Sequence, residues 1–366
     1  FNTSLHVFED LGVRSNDRYE FVYPSYMLSK KIKPNIDLNG QLELNSNGFI
    51  KNYNTNVYEK VIINDLQFNS NSQISNNGLK NNFNFLIKNV NTESSKSKAY
   101  REDRRHNLAT LLQYNLSYPL SKKTENYMNK FKPLLAVKYS PNKMKYMGNA
   151  DRRLDINNVY NLNRISSDDK IEEGASLTYG FDYIKTNNTN KDIFQASLAN
   201  VLRVEESKNI PTQSGLGNKT SDVLGKLLYN TPSEILKLGY DVSLDSNLDD
   251  INYQLINTEF KINNFITSFE FLNENKSKGS SNYITNKTSY NMDESMNLAY
   301  ETRINKKTGL TEFYNLIYQY KNDCLTAAIE YNKDYYNDGE LQSEENVFFK
   351  LTIIPFAETR TTNLLQ

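Results

Sequence analysis

The chain has 366 residues, a formal net charge of zero from 43 basic and 43 acidic residues, one Cys and no Trp, with a mean hydropathy of -0.69. The absence of a basic surplus argues against a nucleic-acid partner. No apolar run approaches the roughly 18 residues that a spanning helix needs. The polar average does not exclude a β-barrel, because barrel strands present only alternate residues to lipid.

Composition predicts an all-β protein. The 26 Tyr and 18 Phe residues are spread along the chain, whereas disordered chains are poor in aromatic residues. Ala is scarce and Asn is abundant, which disfavours helices. The Asn residues are expected in turns and on a solvated face of the strands.

Alternation of apolar and polar residues, which indicates strands with one apolar and one polar face, recurs through the chain. The clearest examples span residues 36–44, 177–183, 236–244 and 325–331, and a final strand is predicted at Val347–Phe356. Hairpin-type turn residues separate such runs, at Asn47-Gly48, Asn77-Gly78, Lys278-Gly279 and Asp338-Gly339. Longer polar stretches are expected to be loops, at residues 92–105, 143–157, 207–219 and 274–282.

These features predict one large antiparallel transmembrane β-barrel of roughly 18 strands over residues 1–366. A soluble sandwich of that size would normally split into domains with visible boundaries, and no Pro- or Gly-rich linker divides this chain. Long loops alternating with tight turns are also typical of outer-membrane barrels.

Candidate lumen residues follow from alternation alone. They are the acidic residues on polar strand faces, namely Asp37, Glu43, Asp182, Asp241, Glu270 and Glu330. Each could instead be a solvated residue at a loop end. The paired acids Asp168-Asp169 and Glu172-Glu173 are interpreted as a solvated loop and not as a cation site.

No catalytic, metal or cofactor site is predicted. The two His residues, His6 and His106, are far apart and lack metal-ligand spacing. The segment 215–220 lacks the Gly-Lys-Ser/Thr ending of a phosphate-binding loop. We therefore expect no enzyme. Composition allows two interpretations of Cys324. It is either a small buried apolar residue or a disulfide partner of a residue outside this chain.

Four segments carry a family resemblance. The C-terminal stretch 317–356 resembles the end of the LptD family of outer-membrane LPS-assembly proteins, in the form found in alphaproteobacteria. Residues 161–180 resemble its N-R-x-x-x-x-D…E-x-G…Y-G segment, and residues 215–225 resemble its G-L…S-D-x-x-G segment. Residues 131–141, which include Phe131-Lys132-Pro133-Leu134 and Tyr139-Ser140-Pro141, are also similar. The four segments occur in the family's order over the last two-thirds of the chain.

The resemblance implies a transport function. The family forms a barrel of about 26 strands that receives lipopolysaccharide (LPS) from a periplasmic bridge and releases it into the outer leaflet. The glycan passes through the polar lumen and the lipid through a lateral gate between the first and last strands. A lipoprotein, LptE, plugs the lumen. The implied partners are therefore LPS, an LptE-like plug, the periplasmic bridge and outer-membrane lipids.

The chain also departs from the family pattern. With about 18 strands it is expected to be the C-terminal portion of the barrel, with the periplasmic domain and early strands outside it. Many members carry an adjacent Cys pair where this chain has Asp323-Cys324. The resemblance thus implies that Cys324 forms a disulfide with a residue outside this chain. The alternatives are a porin, a TonB-dependent transporter barrel, or a surface β adhesin that acts as a binding protein.

Overall fold

The computed structural model describes residues 1–11, 15–33, 39–54, 56–143, 153–165, 167–210, 214–276, 279–335 and 343–353. These residues form twenty β-strands and one 3-10 turn at Asn16–Arg18. Within them, no helix is long and apolar enough to cross a membrane. The all-β prediction is confirmed. The structure has twenty strands where roughly 18 were predicted, and two of the twenty are short, with two and four residues.

The strands, numbered in chain order, have these bounds: β1 Asn2–Glu9, β2 Tyr19–Ile32, β3 Gly40–Tyr53, β4 Val57–Ser70, β5 Gln73–Ile74, β6 Lys80–Ser95, β7 Arg105–Ser117, β8 Leu120–Lys123, β9 Tyr127–Ser140, β10 Gly174–Asn187, β11 Asp192–Arg203, β12 Val223–Asn230, β13 Leu236–Leu244, β14 Ile251–Ile262, β15 Phe265–Lys276, β16 Gly279–Asn291, β17 Met296–Asn305, β18 Leu310–Lys321, β19 Leu325–Asp334 and β20 Glu345–Ile353. The predicted strand at 236–244 is β13, and the alternating runs at 177–183 and 325–331 lie within β10 and β19.

The chain divides into two compact units. Unit 1 comprises Phe1–Tyr229, Tyr240–Gln254 and Asn275–Gly279, and unit 2 comprises Asn230–Gly239, Leu255–Glu274 and Ser280–Gln366. Each unit is built from strands that pair with their neighbours in the chain.

Unit 1 contains an antiparallel meander. The order of pairing is β1, β2, β3, β4, β6, β7, β9, β10, β11 and β12, with the short strands β5 and β8 added against β6 and β9. Because neighbours in the chain are neighbours in the sheet, each connection can be a simple loop. The loop end of unit 1 is the end where β6 and β9 finish and β7 and β10 begin.

Side chains of unit 1 alternate between two faces, as strand geometry requires. On β7, Leu111 is 0% exposed and lies on what we call the covered face, whereas Leu108 is 67% exposed and lies on the open face. On β9, Ala136 is buried on the covered face and Tyr139 is 50% exposed on the open face. One face of the meander is therefore packed and the other is free.

Two turn and loop predictions differ from the structure. Asn47-Gly48 lies in the middle of β3, because Gly48 packs beside the Tyr26 ring across the strand pair, and the chain turns after Tyr53 instead. The predicted loop at 274–282 is almost entirely strand, with β15 ending at Lys276 and β16 starting at Gly279. The Asn77-Gly78 turn is confirmed, with Gly78 at φ +85°, and Asp338-Gly339 lies outside the described residues.

Unit 2 contains a second antiparallel meander, β16 to β20. Its turns at 292–295 and 322–324 lie side by side, and the Lys321 amide donates to the Ser295 carbonyl at 2.7 Å. In the last strand, Val347 and Phe349 are strongly exposed and lie on the same face as exposed Ile329 of β19. The predicted last strand is thus confirmed up to Ile353, beyond which the chain is not described.

Candidate functional site

Two segments between strands fold onto the covered face of unit 1. We call their described residues the loop cover: 153–165 and 167–173, between β9 and β10, and 204–210 and 214–222, between β11 and β12. Leu154, Val159 and Ile165 from the first segment pack with Ile210 and Leu216 from the second. They pack against the strand residues Ala199, Val201 and Leu224. Burial of these side chains fixes both segments to the sheet.

Two glycines make this close approach feasible. A Cβ at Gly180 of β10 would lie 2.1 Å from the Leu198 carbonyl and 2.7 Å from the Tyr160 hydroxyl. The absence of a side chain at 180 therefore lets Tyr160 of the loop cover reach the sheet. Gly215 has φ +67°, a conformation that other residues rarely adopt, and it packs against Asp222.

A buried ion cluster joins the loop cover to the sheet. Arg164 donates from Nε to Glu172 Oε2 at 2.8 Å and also from its terminal nitrogen to Glu172 Oε1. Arg203, at the end of β11, donates to Glu172 Oε1 at 2.7 Å. Lys138 of β9 lies 3.8 Å from Glu172 Oε2 and donates to the Asn161 carbonyl at 2.6 Å. One carboxylate thus bridges three cations.

The remaining donors of this cluster are also satisfied. Arg164 donates to Thr178 at 3.1 Å and to Ser176 at 2.8 Å, both on β10. Arg203 donates to the carbonyls of Glu173 and Glu205. Satisfied hydrogen bonds are what make buried charges tolerable. The two segments and the strands are therefore coupled through one network.

The electrostatics of Glu172 follow from this geometry. Burial by itself raises the pKa of its carboxyl, but the charges of Arg164, Lys138 and Arg203 and the hydrogen bonds from Arg164 outweigh it and hold the pKa at about 2. Glu172 is consequently ionised throughout the range in which proteins function.

A second buried carboxylate anchors the other segment. Asp222 accepts hydrogen bonds from Ser243 Oγ at 2.7 Å and from Asn252 Nδ2 at 3.0 Å. Asn200 of β11 donates to the Ser221 carbonyl at 2.8 Å. Each loop-cover segment therefore carries one carboxylate that ties it to strands of the sheet.

Sequence reasoning missed this network. Glu172 was expected in a solvated loop, and that interpretation is wrong, because Glu172 and Arg164 are both almost completely buried. Of the residues in the network, Lys138, Arg164 and Glu172 lie in the resembling segments, whereas Arg203 does not. The same segments also contain Gly174, Gly180, Gly215, Ser221 and Asp222. The motifs of the resembling segments therefore marked most of these residues. Alternation of apolar and polar residues cannot show which loop residues fold back onto a sheet.

Three predicted lumen acids lie in unit 1. Glu43 of β3 accepts from Ser29 at 2.9 Å. Asp182 of β10 is 2.9 Å from the Lys132 ammonium and accepts from Ser197 at 2.8 Å. Asp182 has the parity of the buried residues Ser176 and Thr178, and Glu43 has the parity of Phe49, which packs on buried Val61. Both acids therefore lie on the covered face.

The third acid of unit 1 is Asp241 of β13, which lies 3.8 Å from the Lys226 ammonium. Lys226 also donates to Asn157 of the loop cover at 3.4 Å. Arg153, in the same segment, stacks over the ring of Tyr253 at 3.0 Å. The start of the loop cover is thus attached near Asp241.

In unit 2, Glu270 of β15 is half-buried and lies on the same face as buried Leu272. Glu330 of β19 accepts from Asn315 at 3.3 Å and pairs with Lys350 of the last strand. Asp37 lies outside the described residues. The structure thus does not bring the six acids together at one site but distributes them over separate strands.

Cys324 lies in the 322–324 turn before β19 and is half-buried. Its amide donates to the Asn322 side chain at 3.0 Å, which stabilises the turn. The thiol is free. The choice between a buried hydrophobe and a disulfide partner therefore rests on the family resemblance.

The charged side chains of unit 1 can bind ligands through ion pairs and hydrogen bonds. Within the described residues, no group of three or more His, Cys, Asp or Glu is placed to hold a metal ion. The covered face presents paired ions such as Lys132–Asp182 and Lys226–Asp241, and the open face presents Leu, Val, Phe and Tyr side chains. The covered face thus combines ion pairs with buried apolar side chains, whereas large apolar side chains are exposed on the open face.

Comparison with known proteins bears on the family. The family model described as "LptD: LPS transport system D" matches residues 105–287, which is 183 of the 366 residues. The matched range contains the whole loop cover and its ion cluster. No curated protein matches the sequence.

Solved structures give only distant similarities. The siderophore receptor PirA from Acinetobacter baumannii is 8% identical, with a TM-score of 0.42, over 91% of this chain and 64% of that chain. This chain therefore spans less than two thirds of the receptor's length. A structure described as "Asymmetric conductivity of engineered proteins" is 9% identical, with a TM-score of 0.31, over 96% of this chain and 98% of that chain.

The family match covers half of the chain, from the start of β7 into β16. The chain belongs to the LptD family, and its architecture is all-β and antiparallel, as a large β-barrel requires.

Proposed function

We propose that this chain is the barrel portion of a translocon that inserts LPS into the outer leaflet of the cell outer membrane. The observation that carries the proposal is the match to the LPS transport family over residues 105–287. The glycan passes along the polar face of the sheet, and the lipid leaves through a lateral gate next to β20. The function is transport, and no residue is assigned covalent chemistry.

The two faces of unit 1 support this function. Leu108, Val137, Tyr139 and Tyr179 are exposed on the open face and suit contact with acyl chains. The covered face carries ion pairs and amides that suit hydrated sugars and phosphates. In this proposal, Asp37, Glu43, Asp182, Asp241, Glu270 and Glu330 line the lumen.

The proposed partners follow from the family. They are LPS, an LptE-like lipoprotein that plugs the lumen, and a periplasmic bridge that binds a part of the protein outside this chain. Cys324 forms a disulfide with that part, which would attach the 322–324 turn to the periplasmic side. Nucleic acid is not a proposed partner, since the net charge is zero.

Depletion of the full-length protein in its native host tests the proposal. We expect LPS to accumulate in the periplasm and surface LPS to fall, as measured by surface labelling and membrane fractionation. Re-expression of the full-length protein is the control. Normal surface LPS after depletion would reject the translocon.

The membrane location has its own test. The chain should require detergent for purification and should partition with outer-membrane fractions. A chain that remains soluble and monodisperse without detergent would contradict the barrel and would favour the adhesin alternative.

A further inference from the structure

Polar residues interrupt the apolar open face of unit 1 near its loop end. Strand register aligns Leu44, Leu66 and Ile87 in one row across β3, β4 and β6. One row nearer the loop end, Ser46, Asn64 and Asn89 occupy the same three strands. On these three strands the side chains thus change from apolar to polar between the two rows. The change lies toward the loop end of unit 1, and long loops face outward in outer-membrane barrels.

The polar residues form a continuous hydrogen-bonded ladder. Ser46 donates to Asn64 at 2.7 Å, and Asn64 donates to Asn89 at 3.4 Å. Asn91 donates to Asn89 at 2.6 Å, and His106 Nδ1 lies 2.6 Å from Asn91 Oδ1. Because an amide oxygen can only accept, His106 Nδ1 carries the proton in this contact. Nε2 is left for another partner, and it donates to an anionic oxygen only when the ring is an imidazolium.

A groove of about 230 Å³ lies at the end of this ladder, lined by Lys60, Ile62, Asn91, Thr92, Glu93, Arg104 and His106. Arg104 and Glu93 neutralise each other, with Arg104 Nε 3.1 Å from Glu93 Oε2. Among the described residues, Lys60 makes no ion pair or hydrogen bond, although it is half-buried. The groove thus carries one uncompensated positive charge beside a His ring nitrogen.

We propose that this groove binds the phosphorylated headgroup of a glycolipid in the outer leaflet, with Lys60 and His106 contacting the phosphate and Arg104 at the rim. The acyl chains of that lipid lie along the apolar rows below, over Leu66 and Ile87. Basic pockets at the membrane interface commonly recognise anionic headgroups. The inference rests on the proposed outer-membrane location and adds a lipid site on the outer wall, apart from the transport path.

The arrangement is more specific than a single lysine that extends toward the interface. A snorkelling lysine needs only an apolar strand beneath it. Here the amide ladder fixes the His106 ring, and the Arg104–Glu93 pair closes the opposite wall. Lys60, Arg104 and His106 therefore line one volume, and charge-assisted hydrogen bonds from several groups are what phosphate recognition uses.

Native mass spectrometry of the full chain in detergent micelles tests the proposal, with diphosphorylated lipid A as the probe. Lipid A with its phosphates removed is the comparison ligand. Lys60→Met keeps the aliphatic length and removes the charge. We expect it to weaken binding of diphosphorylated lipid A about fivefold, because one interfacial lysine contributes about that much.

Lys185→Met is the matched control, since Lys185 lies on the open face at the opposite end of β10, over the Tyr127 ring. It should leave the affinity unchanged, and neither variant should change binding of the dephosphorylated lipid. Equal weakening by both variants, or equal affinity of the wild type for both lipids, would overturn the site. Displacement of the lipid by millimolar inorganic phosphate would assign the groove to free phosphate and would also overturn it.

The two proposals can fail separately. If depletion leaves surface LPS normal while Lys60→Met still reduces lipid A binding, the groove stands and the translocon falls. If depletion traps LPS while Lys60→Met binds lipid A like the wild type, only the groove falls.

Discussion

The covered and open faces of unit 1 are built from the same strands but from different kinds of contact. On the covered face, Glu172, Arg164 and Lys138 are almost completely buried and tightly bonded. On the open face, Leu108 and Val137 are 67% and 47% exposed. Burial in unit 1 therefore comes from segments between strands that fold back onto one side of the sheet. The other side keeps its apolar side chains exposed.

The largest expected effect is on the covered face. Glu172→Gln removes the carboxylate that bridges three cations and leaves their charges uncompensated. Breaking a buried ion pair in this way costs about 3–5 kcal/mol. Urea unfolding in detergent, with proteolysis of residues 153–173 as a local probe, measures the loss.

Glu93→Gln is the control, because Glu93 pairs with Arg104 in an exposed position, where such pairs contribute at most about 1 kcal/mol. Equal losses for the two variants would mean that Glu172 does not hold the loop cover.

A matched pair on β7 compares the faces directly. Leu111→Ala on the covered face should cost about 2–5 kcal/mol, because it removes a fully buried side chain and leaves a cavity. Leu108→Ala, three residues away on the open face, should cost well under half of that in detergent. Similar losses for both would contradict the assignment of the faces.

Introducing a charged side chain on the open face tests whether that face contacts lipid. Val137→Arg should destabilise folding into bilayers by about 2–4 kcal/mol if Val137 faces the lipid core, with a smaller effect in detergent. Folding into vesicles, followed by gel mobility, measures it. Folding yields in vesicles that match those of the wild type would show that this face does not contact lipid.

Stability should also depend on pH through Glu172. Its folded pKa, about 2, lies below the ordinary value of 4.5. The stabilisation is therefore complete above about pH 4.5 and is lost as the pH falls toward 2, and it corresponds to about 3 kcal/mol. Unfolding measured from pH 7 to pH 2 should show this loss in the wild type, and Glu172→Gln should flatten it.

The smallest effect is expected at the Lys132–Asp182 pair, whose side chains are 44% and 30% exposed. Lys132→Gln should cost less than about 1 kcal/mol, because solvent screens such pairs. The same unfolding assay applies. A loss as large as that of Glu172→Gln would mean that this pair is shielded by a covering that unit 1 does not itself provide.

Much of the fold could be predicted from the chain. The alternation at 236–244 gave the bounds of β13, and the runs at 177–183 and 325–331 lie inside strands. Alternation also placed Asp182 and Glu43 on a polar face, since strand geometry assigns faces by residue parity alone. Asn47-Gly48 failed because a turn dipeptide also fits mid-strand where an aromatic ring such as Tyr26 covers the glycine.

The candidate site was less predictable. Residues 161–180 and 215–225 suggested the LptD family as a motif, and the family is confirmed, while the alphaproteobacterial type stays a prediction. The partners of Glu172 could not be read from the motif, since Arg203 lies 31 residues away and Lys138 in a different strand. The disulfide of Cys324 and the lumen role of the acids likewise stay predictions.

By itself, the sequence determined the all-β class and the strand face on which side chains such as Asp182 lie, because both depend on neighbours a few residues apart. Only the tertiary structure decided which face is covered and where charge is buried. Those outcomes depend on the two segments of the loop cover folding back onto strands distant in the chain, where Gly180 leaves room for Tyr160 and one carboxylate joins three cations.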